Sequence, residues 1–131
     1  MKNAWSPPPN QDRIHWLKKV ILSDNSICHV ATASEDALLG FSIFLQKERV
    51  IQAVYVDPTG SGAGIGARLV ALTENAARRA EIFKIELKAS LNAVAFYRRL
   101  QFVPLGKSEQ KLSDGSAMPA LAMEKQLKAA E

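Results

Sequence analysis

Four alternating glycines, Gly60, Gly62, Gly64 and Gly66, stand between a β-branched run that stops at Pro58 and a helix-forming stretch opening near Ile65 (VYVDPTGSGAGIGARL, residues 54–69). Glycine reaches positive φ without a Cβ clash and lets the main chain come close to a ligand, and the first amides of a helix have no acceptor inside it. Such a segment cradles an anion, and a pyrophosphate fits. A P-loop is excluded: it ends in Gly-Lys-Ser/Thr, whereas Ile65 and Gly66 follow Gly64, so no lysine reaches a terminal phosphate and no hydroxyl holds magnesium. A dinucleotide loop follows the first strand of its unit and needs an acidic residue about 20 positions later. Glu81 and Glu86 are the acidic residues near that spacing, but several strands precede this loop, so a nicotinamide site fits poorly. No two of Cys28, His15 and His29 have metal-ligand spacing, so no metal is expected.

The elements that position the loop follow from periodicity. Pro7, Pro8 and Pro9 read as an extended entry, and Asn10 or Asp12 as the cap of a helix with Ile14, Leu17 and Ile21 on one face. Residues 27–32, 38–46 and 50–56 read as three strands joined by short polar turns, an antiparallel meander. Behind the loop, Ile65, Leu69, Leu72, Ala76 and Ala80 recur at helical spacing, and residues 84–88 form the next strand, making one parallel crossover. Ser90 or Asn92 caps a further helix with Ala93, Phe96 and Leu100 as its buried stripe. A strand over residues 101–105 then pairs with one over 117–125 across the turn at Asp114 and Gly115.

Size and composition set the frame. A chain of 131 residues with 47% hydrophobic content is one domain, 1–131, with a core able to fold without staples. The lone Cys28 makes no internal disulfide, no stretch approaches the roughly 20 apolar residues of a membrane span, and the start has no apolar signal core, so a cytoplasmic protein is expected. A scattered net charge of +4 suits an anionic ligand and falls short of a nucleic-acid footprint.

The run VYVDP, the spaced SGAGIG, the helix behind it and NAVAFYRRLQF (residues 92–102) resemble the acetyl-CoA-binding core of the GNAT superfamily of N-acetyltransferases. The likeness covers residues 26–125. It implies an α/β (α+β) fold whose mixed, mostly antiparallel sheet splays at one parallel strand pair and is flanked by helices. It further implies that the pantetheine arm of acetyl-CoA lies in the splay, bonded to backbone near Val54, Tyr55 and Val56. The amides of Gly62, Gly64, Ile65, Gly66 and Ala67 then hold the pyrophosphate, with the helix dipole favouring its charge. Ser61 replaces a usual Gln or Arg, shortening one contact to a hydroxyl. Ser90 or Asn92 meets the pantetheine arm, and Arg99 matches a basic position near the phosphates.

Transfer to an amine needs a proton taken from the nucleophile, a stabilised thioester oxygen and a protonated leaving thiolate. Tyr97 matches the family's general acid, and a phenol with the ordinary pKa of about 10 carries its proton at neutral pH. The amide near Val54 or Tyr55 would polarise the thioester. Gln52 stands where some members carry a strand glutamate, and an amide takes no proton. His29, Glu48 and Asp36 are alternatives that spacing alone does not place, so no base is assigned. His29 and Cys28 read better as packed strand residues. Relatives usually begin with a strand and a helix ahead of the helix at 12–22. Their apparent absence would expose a sheet edge, which a second copy could cover as a homodimer. The resulting expectation is an acetyl-CoA-dependent N-acetyltransferase acting on a primary amine. The alternative is a degenerate CoA-binding or interaction module, motivated by Gln52, Ser61, Gln101 at a usual glycine position and the short start.

Overall fold

The computed structural model describes residues 24–34, 37–58, 64–112 and 114–128. Its elements are β1 (Ser26–Ser34), β2 (Ala37–Leu45), β3 (Val50–Val56), α1 (Ile65–Arg79), β4 (Lys84–Ser90), a 3-10 turn (Leu91–Ala93), α2 (Val94–Arg99), β5 (Val103–Lys111) and β6 (Ala117–Gln126). The expected amino-terminal helix and the missing first strand concern residues outside those described. Six strands form one sheet in the order β1-β2-β3-β4-β6-β5, antiparallel except between β3 and β4. The mixed α+β architecture is the expected one. Among the described residues, no helix is long and apolar enough to cross a membrane.

One face of the sheet carries the helices. Phe44, Ile51, Val54, Ile85, Leu87, Ala89 and Met123 pack there with Leu69, Val70 and Ala77 of α1 and Tyr97 of α2. On β3, Ile51 and Val54 share this face while Ala53 and Tyr55 join Phe41 and Ile43 in a second cluster. Strict alternation would put 51 and 53 together, so the phase must slip between them. The register shows where: Ile43 faces Ala53 but Phe44 faces Ile51, leaving Gln52 as the extra residue of a β-bulge.

The contact stripe of α1 runs through Gly66, Leu69, Val70, Thr73, Ala76 and Ala77. This corrects the expected stripe at Leu72 and Ala80: Leu72 is 44% exposed. Thr73 takes the central place because its hydroxyl donates to the Leu69 carbonyl (2.9 Å) and lies 3.2 Å from Ser42 Oγ, so the buried polar pair is satisfied. Buried Glu74 is held by Lys125 of β6 at 3.0 and 3.1 Å. Gly40 marks the tightest approach. A Cβ there would lie 2.5 Å from the Tyr55 carbonyl oxygen and 3.3 Å from Leu69 Cδ1. Gly40→Ala must therefore push β2 off β3 or α1. The expected cost is about 2 kcal/mol, read as a Tm lowered by roughly 6–12 °C in calorimetry. An unchanged Tm would contradict that packing.

Both helices end alike. Glu81 and Gln101 adopt φ of 60° and 76°. Ile82 N–H donates to Ala77 and Glu81 N–H to Arg78; Phe102 N–H donates to Tyr97 and Gln101 N–H to Arg98. These are Schellman closures with a side chain where glycine is preferred. Gln101 therefore begins a cap, and β5 starts at Val103 rather than at 101. Its polar run GKSEQK stays in the sheet to Lys111 because it forms an exposed edge. Gln101→Gly should stabilise the fold by about 0.5–1 kcal/mol in urea unfolding, and a loss of stability would argue against the left-handed cap.

Candidate functional site: a forked strand pair beside a helix start

The parallel strands β3 and β4 pair only at Val50↔Glu86 and Ile51↔Leu87, with Glu86 N–H donating to the Arg49 carbonyl (3.0 Å). Past the Gln52 bulge they part. Hydrogen-bond parity shows what faces the opening. Asp57 N–H donates to Leu39 O (2.7 Å), so Asp57 and, two residues back, Tyr55 are hydrogen-bonded partners of β2. Val54 and Val56, opposite Ser42 and Gly40, alternate with them and turn their N–H and C=O groups toward β4. The Leu127 N–H bond to Phe83 O (2.8 Å) sets the same parity on β4, turning the peptide groups of Lys88 and Ser90 toward β3. The main chain of Tyr55 thus faces β2, unlike its neighbours, and its ring stacks on Phe41 at 5.4 Å.

Helix α1 starts beside this opening, with Gly66 against Val56 at the end of β3. Ser61 and Gly62 lie outside the described residues. Gly64 takes the left-handed N-cap position (φ 75°), its carbonyl accepts from Arg68 N–H, and α1 has no side-chain cap. Among the described residues nothing accepts from the amides of Ile65, Gly66 and Ala67. A Cβ on Gly66 would meet Phe96 Cζ at 3.1 Å and Val56 Cγ2 at 3.5 Å. The absence of a side chain there seats the first turn of α1 against both the end of β3 and α2. The two sequence motifs, 54–69 and 92–102, therefore meet in space.

On α2 the buried residue is Tyr97, at 1% exposure, while Phe96 and Leu100 are only half-buried, which corrects the expected stripe. The Tyr97 ring packs edge-on between Phe96 (5.0 Å) and Phe102 (5.6 Å), among residues of both forked strands, Val54, Leu87 and Ala89. Ser90 and Asn92 act as one unit. The Ser90 hydroxyl donates to Asn92 Oδ1 (2.8 Å), and neither the 3-10 turn nor α2 has a side-chain cap among the described residues. Arg99 Nε donates to the Ala95 carbonyl of its own helix (3.3 Å).

A cavity of about 380 Å³ sits at the vertex of the fork, lined by Gln52, Glu86, Lys88, Leu105 and Gln110 among others. Glu86 is the carboxylate at this vertex, and it was not among the base candidates of the sequence. Its signal was the alternation on β4, with Ile85 and Leu87 buried toward the helices and Lys84, Glu86 and Lys88 turned the other way. The other base candidates lie elsewhere. Glu48 accepts from Asn25 Nδ2 (2.8 Å) at the β2–β3 turn, and Asp36 is outside the described residues. His29 stands opposite Ser42 on β1, two strands from the fork. Burial first and the Arg79 charge second lower its pKa below 6.5, and among the described residues its buried Nδ1 has no hydrogen-bond partner.

Cys28 is half-buried, and burial raises its thiol above the ordinary 9.0. At pH 8 iodoacetamide should label it several-fold more slowly in the native protein than in urea, the native rate still climbing above pH 9. Equal rates would mean the thiol is not desolvated. Among the described residues no group of three metal-ligating side chains occurs.

Comparison with known proteins gives a consistent picture. A family model described as an acetyltransferase (GNAT) domain matches residues 10–127. Among solved structures, a GCN5-related N-acetyltransferase from Rhodopseudomonas palustris is 20% identical. The match covers 92% of this chain and 78% of that one, with a TM-score of 0.70. A ribosomal-protein-alanine N-acetyltransferase from Brucella melitensis is 22% identical (89% and 78% covered, TM-score 0.67). An aminoglycoside 6'-N-acetyltransferase complexed with coenzyme A is 16% identical (92% and 82% covered, TM-score 0.67). At these identities the likeness is one of fold. No curated protein matches the chain in sequence.

Proposed function

Because the chain belongs to the acetyltransferase (GNAT) domain family, we propose that it is an N-acetyltransferase that takes the acetyl group of acetyl-CoA and delivers it directly to a primary amine. The observation that carries this reading is the fork. Pairing stops at Ile51↔Leu87, and the peptide groups of Val54 and Val56 face a gap next to a helix that starts without a side-chain cap.

The residues present fit the cofactor's parts. Val54 and Val56 would bond the pantetheine amides as a neighbouring strand does, and the Ser90–Asn92 pair stands at the carboxyl end of β4, near the same gap. The amides of Gly62, Gly64, Ile65, Gly66 and Ala67, with the Ser61 hydroxyl, would hold the pyrophosphate at the positive end of α1. Arg99 is the remaining cation assigned to the phosphates. Acetyl-CoA supplies an activated acyl thioester. This chain's part is to bind it, to donate a proton from Tyr97 Oη to the departing sulfur and to accept the amine's proton at the Glu86 carboxylate. The Val54 N–H, directed into the gap, is the donor best placed to polarise a carbonyl there.

A second reading, a CoA-binding module without turnover, is favoured by Gln52: the bulge residue at the cavity is an amide and takes no proton. Titration with acetyl-CoA by calorimetry, beside thiol release with polyamines, aminoglycosides, amino acids and peptides, separates the two. Binding with release supports transfer, binding without release with any acceptor supports the module, and no binding ends both. A cytoplasmic homodimer completes this reading: a lone thiol persists there, and β1 forms the outer edge of the described sheet. A monomer in light scattering at high concentration would count against the dimer.

A further inference from the structure

Lys88 is the first β4 residue beyond the last pair with β3, Ile51↔Leu87. Its peptide group borders the gap, and its side chain lines the vertex cavity with Glu86, Gln52, Leu105 and Gln110. Lys84, Glu86 and Lys88 alternate with buried Ile85 and Leu87, so all three stand on the sheet face away from α1 and α2. Two residues of one strand separate Glu86 from Lys88, roughly 7 Å at the base of the side chains.

The register explains why this ammonium is free. The row of Lys88 continues through Ala122 to Gly106, neither of which offers a carboxylate. Glu124, opposite Glu86, is engaged by Lys84 at 3.6 Å, and Glu74 holds Lys125 at 3.0 Å on the helix-bearing face. Among the described residues, neither Lys88 nor Glu86 makes an ion pair. A primary amine on a flexible four-carbon stem thus shares one cavity with the carboxylate assigned as the base.

We propose that Lys88 is a site of self-acetylation: the chain transfers the acetyl group of acetyl-CoA to its own Lys88 Nζ. The proposal rests on the acetyl-transfer reading above. The ammonium gives one proton to Glu86, and the freed nitrogen forms a C–N bond with the acetyl carbon. The C–S bond breaks, and the sulfur takes the Tyr97 proton. The second proton leaving the nitrogen restores the phenol. The products are an acetamide on Lys88, the free thiol of CoA and the proton that Glu86 passes to solvent. Because Lys88 is fixed to the strand that borders the gap, it competes with free amines through effective concentration rather than affinity.

The test is incubation of the protein with acetyl-CoA at neutral pH, followed by intact mass and peptide mapping. Lys88 should gain an acetyl group at least roughly tenfold faster than the exposed Lys47, Lys107 and Lys111, which register spontaneous acylation. The fraction modified per unit time should be equal in dilute and concentrated protein, as an intramolecular step requires, and the advantage of Lys88 should vanish in urea. A second probe does not depend on turnover: bromoacetyl-CoA, losing bromide to an amine, should leave the whole CoA on Lys88 ahead of the three control lysines. The proposal is overturned if Lys88 is acetylated no faster than the controls, if its fractional rate rises with protein concentration, if its advantage persists in the unfolded chain, or if bromoacetyl-CoA bypasses it. Thiol release with added free amines is read in parallel. Release with Lys88 unmodified overturns the proposal alone, whereas alkylation of Lys88 with no acetyl transfer to any amine overturns the transfer reading along with it.

Discussion

Tyr97→Phe is expected to lower turnover by about 100-fold while acetyl-CoA affinity and stability change little; a factor of 100 corresponds to about 2.7 kcal/mol in the barrier. The ring of Tyr97 is fully buried, wedged between Phe96 and Phe102 and touching the core that both forked strands share. Phenylalanine keeps that packing and removes the phenolic hydroxyl assigned to the leaving sulfur. A merely structural tyrosine would show the opposite pattern, a lower Tm with unchanged kcat. Thiol-release kinetics beside thermal unfolding decide between them, and an unaltered kcat removes Tyr97 from the reaction. A loss confined to KM would instead assign its hydroxyl to binding.

Glu86→Gln should cost about as much at neutral pH, with a different signature. An amine arriving as an ammonium ion must lose a proton, and Glu86 is the carboxylate that lines the vertex cavity. As pH rises toward the pKa of the acceptor, a growing share arrives already deprotonated and the need for a base falls. The gap between variant and wild type should therefore be widest near pH 7 and narrow toward pH 9. A deficit that stays constant over this range would mean that Glu86 positions the acceptor rather than accepting its proton. No deficit at all would return the base to a water. The Tyr97 deficit, by contrast, should not close in the same way, since the leaving sulfur needs its proton whatever the state of the amine.

The reach of the sequence can be judged residue by residue. The crossover of strand, glycine loop, helix and strand was legible because each signal is local: Pro58 stops a β-branched run, alternating glycines rule out regular structure, and Leu69 and Ala76 recur at helical spacing. The position of Gln101 was legible as a departure. Its meaning, a left-handed cap closed by Phe102 N–H on Tyr97 O, was not, since a positive φ is set by how the chain turns back onto the sheet. The α1 stripe was misread by part of a turn because Thr73 counts as polar in isolation and becomes a core residue only when Ser42 arrives from a strand 31 positions earlier.

Residue types and short-range periodicity thus determined the order of elements and the place of the glycine-led helix start. Tertiary structure alone decided the rest: the bulge that isolates Gln52, the line at Ile51↔Leu87 where two strands stop pairing, the choice of Val54 and Val56 over Tyr55 to face the gap, and the arrival of Glu86 at its vertex. Each of these depends on register between segments distant along the chain, and in a strand a slip of one residue turns every side chain and every peptide group to the other side.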